Sequence, residues 1–187
     1  MVESIKKLST KFKNYRYWCE DETRLGLKTI TGRRLTLKGV KPIGLVQWQR
    51  ENYYLYGVVE PKTGESFFYE FSHLDTICFQ GFLQQLSQNY PEDFHIIQVD
   101  QGAFHQTSWL TIPENIILNF QPPHSPQVNP IERLWKELKK SLRWQLFSSL
   151  DELREAVRKI LARLDQTIIT SLTGWNFILE ALYVAGI

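Results

Sequence analysis

The sequence lacks the features that define several classes of protein. Cysteine occurs only twice in 187 residues, at Cys19 and Cys78, which is too few for a disulfide framework. We interpret both as buried free thiols in a reducing compartment. No apolar run reaches the roughly 18 residues of a membrane span, and Met1–Lys7 lacks the apolar core of a signal peptide. These absences lead us to expect a soluble intracellular protein that makes no contact with a membrane.

The sequence also has almost no excess of positive over negative charge. The formal net charge is +2, so bulk charge does not indicate a nucleic-acid-binding protein. Basic residues are instead concentrated in Lys6–Lys13, Lys28–Lys41 and Lys136–Arg143, which would suit local contact with phosphate groups. Repeats and low-complexity tracts are absent, and a hydrophobic fraction of 43% provides for a sizeable core. We therefore expect one domain, residues 15–187, after a flexible lead-in of residues 1–14.

Patterns typical of β-structure dominate the first half of the chain. The run from Tyr15 to Cys19 alternates as a strand does, and we expect that strand to end at Asp21. Further strands are predicted at residues 44–48, 53–59 and 66–71, with a short strand or hairpin at residues 28–31, a hairpin about residues 50–52 and a turn at residues 61–64.

The second half mixes helical and strand patterns. Phe79, Phe82, Leu83 and Leu86 lie on one helical face, and Asp75 is placed to cap that helix. Along the chain, strands come first, then alternating strands and helices, and finally helices. This order predicts an α/β protein with a mixed sheet flanked by helices and with C-terminal helices. The remaining predicted elements are buried strands at 94–99 and 116–120, a short helix at 104–110, and helices at 131–142, 150–164 (capped by Ser149 with Glu152) and 168–184 (broken at Gly174).

Three carboxylates stand where these elements end or begin. Asp21 closes the first strand, Asp100 follows a buried run that ends at Val99, and Glu132 lies in the first turn of a helix. Carboxylate oxygens are hard ligands that suit Mg²⁺ or Mn²⁺, and such ions promote displacement at phosphorus. Three carboxylates that met without a cation would repel one another, whereas a divalent ion between them removes that cost. The pattern therefore indicates a metal site for phosphodiester chemistry.

Each of these acids also has a purely structural explanation. Asp100 can be a turn residue at the end of a strand. Asp21 and Glu22 can form a solvated strand end, and only one of them can face the site if the strand continues, because side chains alternate along a strand. Glu132 can complete a capping box with Asn129 as the N-cap. The residues alone leave these alternatives open.

Three segments together resemble a known family. They are DETRLGL at residues 21–27, VDQGAFH at residues 99–105 and PPHSPQVNPIERLW at residues 122–135. They are similar to the three signature blocks of DDE transposases, and most similar to the bacterial insertion-sequence branch of the Tc/mariner superfamily. The resemblance runs from about residue 15 to about residue 150. It implies a ribonuclease-H-like fold in which Asp21, Asp100 and Glu132 are the catalytic triad and hold two Mg²⁺ or Mn²⁺ ions.

The resemblance also implies an activity and partners. We expect hydrolysis of phosphodiesters at transposon ends, followed by transfer of the freed 3′-hydroxyl into target DNA, by resemblance at a TA step. The expected partners are DNA, a second copy of the chain, and a separately encoded helix-turn-helix protein, since no such domain precedes residue 15. The expected location is the bacterial cytoplasm, in association with the nucleoid. The alternatives are a decayed or split transposase that binds DNA or a partner chain without transposing, and a glycoside hydrolase that uses two carboxylates.

Further residues are candidates to support the triad or to bind DNA. Glu22 and His105 are placed to support the triad, although His105 can equally be a packing residue at a helix start. The basic face beyond Glu132 can be an ordinary solvated face that includes a Glu132–Lys136 pair. We expect Trp48, Trp109, Trp135, Trp144 and Trp175 to lie in the core rather than on a base-stacking surface. The candidate DNA-binding residues are Lys28, Arg33, Arg34, Lys38, His124, Lys136, Lys139, Lys140 and Arg143.

Overall fold

A five-stranded mixed sheet forms the centre of the protein, for which a computed structural model describes residues 11–123 and 125–187. Most of the predicted lead-in and His124 lie outside the described residues. The strands are β1 (Asn14–Gly26), β2 (Asn52–Val59), β3 (Ser66–Phe71), β4 (Asp93–Val99) and β5 (Ile116–Phe120). Their order is β3-β2-β1-β4-β5, with β1 antiparallel to β2, β2 antiparallel to β3, and β1, β4 and β5 mutually parallel.

Helices cover both faces of this sheet. They are α1 (Thr76–Asn89), α2 (Ile131–Ser141), α3 (Leu150–Leu161), α4 (Gln166–Thr173) and α5 (Asn176–Ala185). On one face, Phe79 and Phe82 of α1 pack with Trp18 and Ile97 of the sheet. On the other, the predicted apolar stripe of α2 packs with Cys19, Leu25 and Leu55 of the sheet. The described helices therefore enclose the sheet in two separate apolar clusters.

The first strand is longer than predicted. It continues five residues beyond Asp21, because Cys19 to Gly26 pair with β2 in unbroken register from Val59 to Asn52. Asp21 therefore lies within β1 and not at its end. Its position is nevertheless the point at which the parallel pairing of β1 with β4 has stopped, since the last such pair is Cys19 with Gln98.

The long connection between β1 and β2, residues 27–51, contains none of the predicted strands. The strands predicted at residues 28–31 and 44–48, and the hairpin about residues 50–52, are wrong. Three hydrogen bonds hold the base of this connection: the Thr29 amide donates to the Gln47 carbonyl, the Gln47 amide donates to Thr29 Oγ1, and Gln47 Nε2 donates to the Phe147 carbonyl. Beyond that base, residues with high β propensity are exposed, and β propensity produces a strand only where a neighbouring strand or core surface is present.

Predictions in the second half of the chain were more accurate where they depended on helical periodicity and caps. Asp75 caps α1 by accepting a hydrogen bond from the Cys78 amide at 2.8 Å, and Ser149 caps α3. The break at Gly174 separates α4 from α5. The helix predicted at 104–110 is wrong, since only Ala103–His105 forms a 3₁₀ turn. Strand β5 is buried only at its start.

Aromatic and thiol side chains are less uniformly buried than predicted. Trp135 is buried, but Trp48 is 71% and Trp109 57% exposed, so the core assignment is wrong for those two. Of the two free thiols, Cys19 is buried and Cys78 is only half-buried. No single helix within residues 11–123 and 125–187 is long and apolar enough to cross a membrane, although α4 and α5, bent by 96° at their junction, satisfy length and composition as a pair.

Candidate active site

Two of the predicted acids meet at one edge of the parallel part of the sheet. Asp21 and Asp100 each follow the last parallel pair, Cys19 with Gln98, by two residues. Their backbones therefore leave the β1–β4 ladder side by side. This edge, outside the carboxyl ends of parallel strands, is where open α/β sheets place ligands.

The third acid reaches this edge through the start of α2. Asn129 Nδ2 donates a hydrogen bond to the Glu20 carbonyl at 2.7 Å, which fastens the beginning of the helix to β1. Three residues beyond Glu132, on the same helical face, Trp135 Nε1 donates to Asp21 Oδ2 at 3.0 Å. A residue with a side chain at position 57 would disturb this arrangement, since a Cβ on Gly57 would lie 2.7 Å from the Trp135 ring.

The predicted capping box is wrong. The residue at the N-cap of α2 is Pro130, and among the residues that the structure describes no side chain caps this end of the helix. Asn129 uses its amide on β1 instead, and Glu132 is exposed. The structural alternative for Glu132 therefore fails, and its carboxylate is left free to turn toward an ion.

The electrostatics of Asp21 reflect the crowding of acids. Burial, and then the charges of Glu22 and Glu132, raise the pKa of Asp21 to about 8, with Asp100 adding to the effect. Within the described residues, the three predicted acids are not a group whose ligand atoms all lie within 4.8 Å of one another. An ion shared by all three would therefore require side-chain rotation, for which the exposed side chain of Glu132 has room.

His105 links Asp100 to the acids on the other face of β1. Its Nδ1 lies 2.8 Å from Asp100 Oδ1, and its Nε2 lies 3.2 Å from Glu22 Oε1 and 3.9 Å from Glu20 Oε2. Burial lowers the pKa of His105, but hydrogen bonds and charges from Glu22 and Asp100 outweigh burial and leave that pKa raised. The ring also packs on Phe79, so His105 both fills space and contacts the predicted site.

Glu20 is the site residue that the sequence patterns did not single out. It is fully buried, and burial followed by the charges of Glu22 and Asp21 raises the pKa of its carboxyl group well above the ordinary value. Glu22 shares its face of the strand, as does Trp18. Side-chain alternation could have revealed it from the sequence. Residues two apart on a strand share a face, so Glu20 lies on the same face as Trp18, which is expected to be buried.

The two predicted basic stretches meet at the end of α2. The Trp144 amide donates to the Ile30 carbonyl at 2.9 Å, and the Arg34 guanidinium lies 4.2 Å from the centre of the Trp144 ring. The Arg143 side chain packs against Gly32, where an added Cβ would lie 2.6 Å from its Cδ. All of the candidate DNA-binding residues that the structure describes are exposed except Lys139, which is half-buried: Lys28, Arg33, Arg34, Lys38, Lys136, Lys139, Lys140 and Arg143.

Comparison with known proteins identifies relatives of this chain. It is 30% identical over 102 residues to the uncharacterized protein y4pE/y4sA of Sinorhizobium fredii, an alignment that covers 54% of the chain and 76% of that relative. It is 28% identical over 151 residues to the uncharacterized 39 kDa protein of insertion element IS630 from Shigella sonnei, covering 74% of the chain and 44% of that protein.

Solved structures share the fold. The Mos1 transposase paired-end complex with the left transposon end superimposes with a TM-score of 0.66 at 14% identity, covering 92% of this chain and 54% of that one. The Mos1 mariner paired-end complex with Mn superimposes with a TM-score of 0.62 at 14% identity, covering 91% and 55%. The chain thus spans about half the length of these proteins. The predicted ribonuclease-H-like mixed sheet flanked by helices is confirmed.

A family model extends the match across most of the chain. The model for DDE superfamily endonucleases matches residues 16–154, which contain Asp21, Asp100 and Glu132. The match confirms the resemblance found in the three sequence blocks and leaves the glycoside hydrolase alternative without support. The chain belongs to the DDE superfamily endonucleases.

Proposed function

We propose that this chain is the catalytic domain of a DNA transposase, which hydrolyses phosphodiesters at transposon ends and transfers the freed 3′-hydroxyl into target DNA. The observation that carries the proposal is that Asp21 and Asp100 follow the last parallel pair at one edge of the sheet, while Trp135 of the helix that carries Glu132 donates to Asp21. Membership of the DDE superfamily and the fold of the Mos1 transposase support this assignment.

The donor set fits divalent cations. Asp21, Asp100 and Glu132 offer oxygen ligands only, as Mg²⁺ and Mn²⁺ prefer. Burial, and then the charges of Glu22 and Glu132, raise the pKa of Asp21, so a cation beside its carboxylate would be favourable. When two such ions are bound, they supply activation of the attacking oxygen and stabilisation of the leaving 3′-oxygen.

The neighbours of each acid fix where its carboxylate can act. The Trp135 indole orients Asp21 by donating to Oδ2. The Gly102 amide and His105 both engage Oδ1 of Asp100, which leaves Oδ2 available. Neither of these partners of Asp100 belongs to the proposed triad. The chain therefore holds two of its three acids in place before any ion binds, which reduces the cost of assembling the site.

We further propose that the two basic stretches bind the DNA backbone. The two stretches approach each other where Arg34 lies over the Trp144 ring and Arg143 packs against Gly32, beyond the end of the helix that carries Glu132. Phosphate contacts from these residues would give binding that weakens with salt. His124 stays in the proposal on the sequence resemblance alone. The proposal also includes a TA target step, action as a dimer, cooperation with a helix-turn-helix protein and association with the bacterial nucleoid.

The test is a nicking assay on DNA that carries the element's end, with Mg²⁺, comparing the wild type with Asp100→Asn and Glu132→Gln. Both variants should lose cleavage and keep DNA binding. Glu137→Gln, which removes a carboxylate from the same helix at 36% side-chain exposure, is the matched control and should cleave normally. Wild-type cleavage by the Asp100→Asn variant would overturn the proposal. Binding without cleavage by the wild type would favour a decayed or split transposase.

A further inference from the structure

A second group of potential ligands lies on the face of β1 opposite Asp21. Ligand atoms of Glu20, Glu22 and His105 all lie within 4.8 Å of one another. The side chains of Glu20 and His105 are 0% and 1% exposed, and that of Glu22 is 7% exposed. None of these residues belongs to the proposed catalytic triad.

We propose that Glu20, Glu22 and His105 form a separate site for a Zn²⁺-like divalent ion, distinct from the hard-ion site of the triad. One imidazole nitrogen with two carboxylate oxygens is a ligand set that suits Zn²⁺ and its neighbours better than Mg²⁺. The site requires neither DNA nor the chemistry of the triad, so it stands or falls independently of the proposed function.

The spacing of the ligand atoms fits such an ion. His105 Nε2 lies 3.2 Å from Glu22 Oε1 and 3.9 Å from Glu20 Oε2. Two ligands about 2.1 Å from a tetrahedral zinc ion are roughly 3.4 Å apart. Small rotations of the carboxylates would therefore complete three corners of a tetrahedron, with a water molecule as the expected fourth ligand.

An unpartnered buried carboxylate points to a missing ligand. Both oxygens of Glu20 are buried and lack a hydrogen-bond partner among the described residues. Burial of a carboxylate without a compensating partner is strongly unfavourable, so this group needs either a cation or a proton. A proton shared between Glu20 and Glu22 is the competing explanation, and titration with metal separates the two.

The remaining nitrogen of His105 has the partner that a metal-binding histidine usually has. Its Nδ1 lies 2.8 Å from Asp100 Oδ1, and metal-binding histidines commonly donate this second N–H to a carboxylate. With Nδ1–H donated to Asp100, Nε2 would offer its lone pair toward Glu20 and Glu22 once an ion displaces its proton. The rings of Phe79 and Phe104, with centroids 4.3 Å and 4.1 Å from that of His105, hold the imidazole in place.

Occupancy of this site would act on the proposed catalytic site through one bond. A bound ion would hold His105, and His105 would hold Oδ1 of Asp100. His105 would then be a positioning residue for Asp100. Zinc binding should in turn depend on Asp100. Asp100→Asn should weaken zinc binding about 10- to 100-fold, as loss of the hydrogen-bond partner of a metal ligand does.

The experiment uses the full chain carrying Asp21→Asn and Glu132→Gln, which removes two triad carboxylates, after all metal has been stripped. Zn²⁺ is titrated by calorimetry, and Co²⁺ is titrated by visible absorption. We expect one Zn²⁺ per chain and the absorption of four- or five-coordinate Co²⁺. Adding Glu20→Gln or His105→Gln should weaken binding by at least about 100-fold, since each removes a ligand and not merely a partner behind one. His73→Gln, at an exposed histidine, is the matched control and should bind normally.

A second measurement covers the case in which a ligand variant does not fold. In the folded background chain, the ¹⁵N resonance of His105 Nε2 should shift on addition of one equivalent of Zn²⁺, while Nδ1 stays protonated. Absence of zinc binding, an unshifted His105 Nε2, or binding unaffected by folded Glu20→Gln would overturn the proposal and leave a proton-sharing carboxyl pair. Mg²⁺-dependent cleavage by the wild type is measured separately, so neither proposal depends on the other's result.

Discussion

Strand β1 presents acids to two different environments on its two faces. On one face, Asp21 meets the indole of Trp135 and the start of α2. On the other, Glu20 and Glu22 meet His105 in a compartment closed by aromatic rings. Adjacent residues of one strand thus differ in their partners and in their access to solvent.

The difference shows how side-chain alternation can separate two kinds of ligand chemistry within three residues. The face of Asp21 opens toward exposed Glu132 and half-exposed Asp100, as the proposed oxygen-only site would require in order to admit DNA. The face of Glu20 is sealed and includes a nitrogen ligand. His105 connects the faces by its bond to Asp100. Substitutions on each face can therefore show whether the two behave separately.

Removing the charge of Asp21 should have the largest effect. Asp21→Asn keeps an oxygen acceptor for the Trp135 indole but removes a carboxylate ligand. Cleavage should fall by at least about 10³-fold, because loss of a metal ligand forfeits several kcal/mol of transition-state stabilisation. The measurement is single-turnover cleavage at saturating Mg²⁺, with Glu137→Gln as the control. A fall of less than tenfold would contradict the assignment of Asp21 as a ligand.

Removing only the donor that orients Asp21 should have a smaller effect. Trp135→Phe retains a ring that can pack on Phe68 but loses the indole N–H. Mg²⁺ affinity in cleavage should weaken about 10- to 100-fold, as it does when a residue behind a metal ligand is removed. Zinc binding on the opposite face should not change. Equal Mg²⁺ dependence in variant and wild type would mean that this hydrogen bond does not support the site.

The stability of the metal-free protein should also depend on pH, because the pKa of Asp21 differs between the folded and the unfolded chain. The pKa of Asp21 is raised to about 8, so between pH 4 and pH 8 the folded protein holds a proton that the unfolded chain has released. The free energy of unfolding should therefore fall as pH rises through this range, by up to about 1.4 kcal/mol per pH unit. Urea unfolding at several pH values with a metal chelator tests this.

Two additions to the unfolding experiment test whether Asp21 is the titrating group. Asp21→Asn should reduce the slope of stability against pH, because the titrating group is gone. Saturating Mg²⁺ should stabilise the wild type more at pH 8 than at pH 5, since protons and cations compete for the carboxylate. A slope that is identical in wild type and variant would show that Asp21 does not titrate in this range.

The smallest effects should be the losses of DNA affinity on removing single candidate DNA-binding residues, such as Lys136 or Arg143. Lys136→Ala or Arg143→Ala should weaken DNA binding modestly and reduce the slope of log K against log salt by about 0.9 for each phosphate that the variant no longer neutralises. Lys159→Ala on α3, paired with Glu155 at 3.3 Å, is the matched control. A control slope that changes as much as the Arg143→Ala slope would place the DNA elsewhere.

Sequence patterns predicted best the elements whose signals are local. Helix α1 follows from a cap at Asp75 and one apolar face, and β3 and β5 have the predicted bounds. The long connection was mispredicted because its β-rich residues, among them Leu45 and Trp48, have no neighbouring strand with which to pair. Local propensity contains no information about that missing partner.

Within the candidate site, spacing and resemblance located the acids but not their partners. Asn129 matched a helix cap in sequence, yet it binds the Glu20 carbonyl, a contact between residues that are far apart in the chain. The bond from Trp135 to Asp21 and the inward face of Glu20 likewise depend on how β1 meets α2 and the His105 turn. Such long-range contacts become visible only once the sheet is assembled.

The most direct test of the proposed catalytic site is a crystal structure of the chain with Mn²⁺, using anomalous scattering to locate the ions. The triad proposal predicts Mn²⁺ bound between the carboxylates of Asp21, Asp100 and Glu132, with its signal absent in Asp100→Asn. Data collected at the zinc edge from Zn²⁺-soaked crystals distinguish any ion beside His105. Well-ordered crystals without Mn²⁺ between those three side chains, at a concentration that supports cleavage, would contradict the assignment of the site.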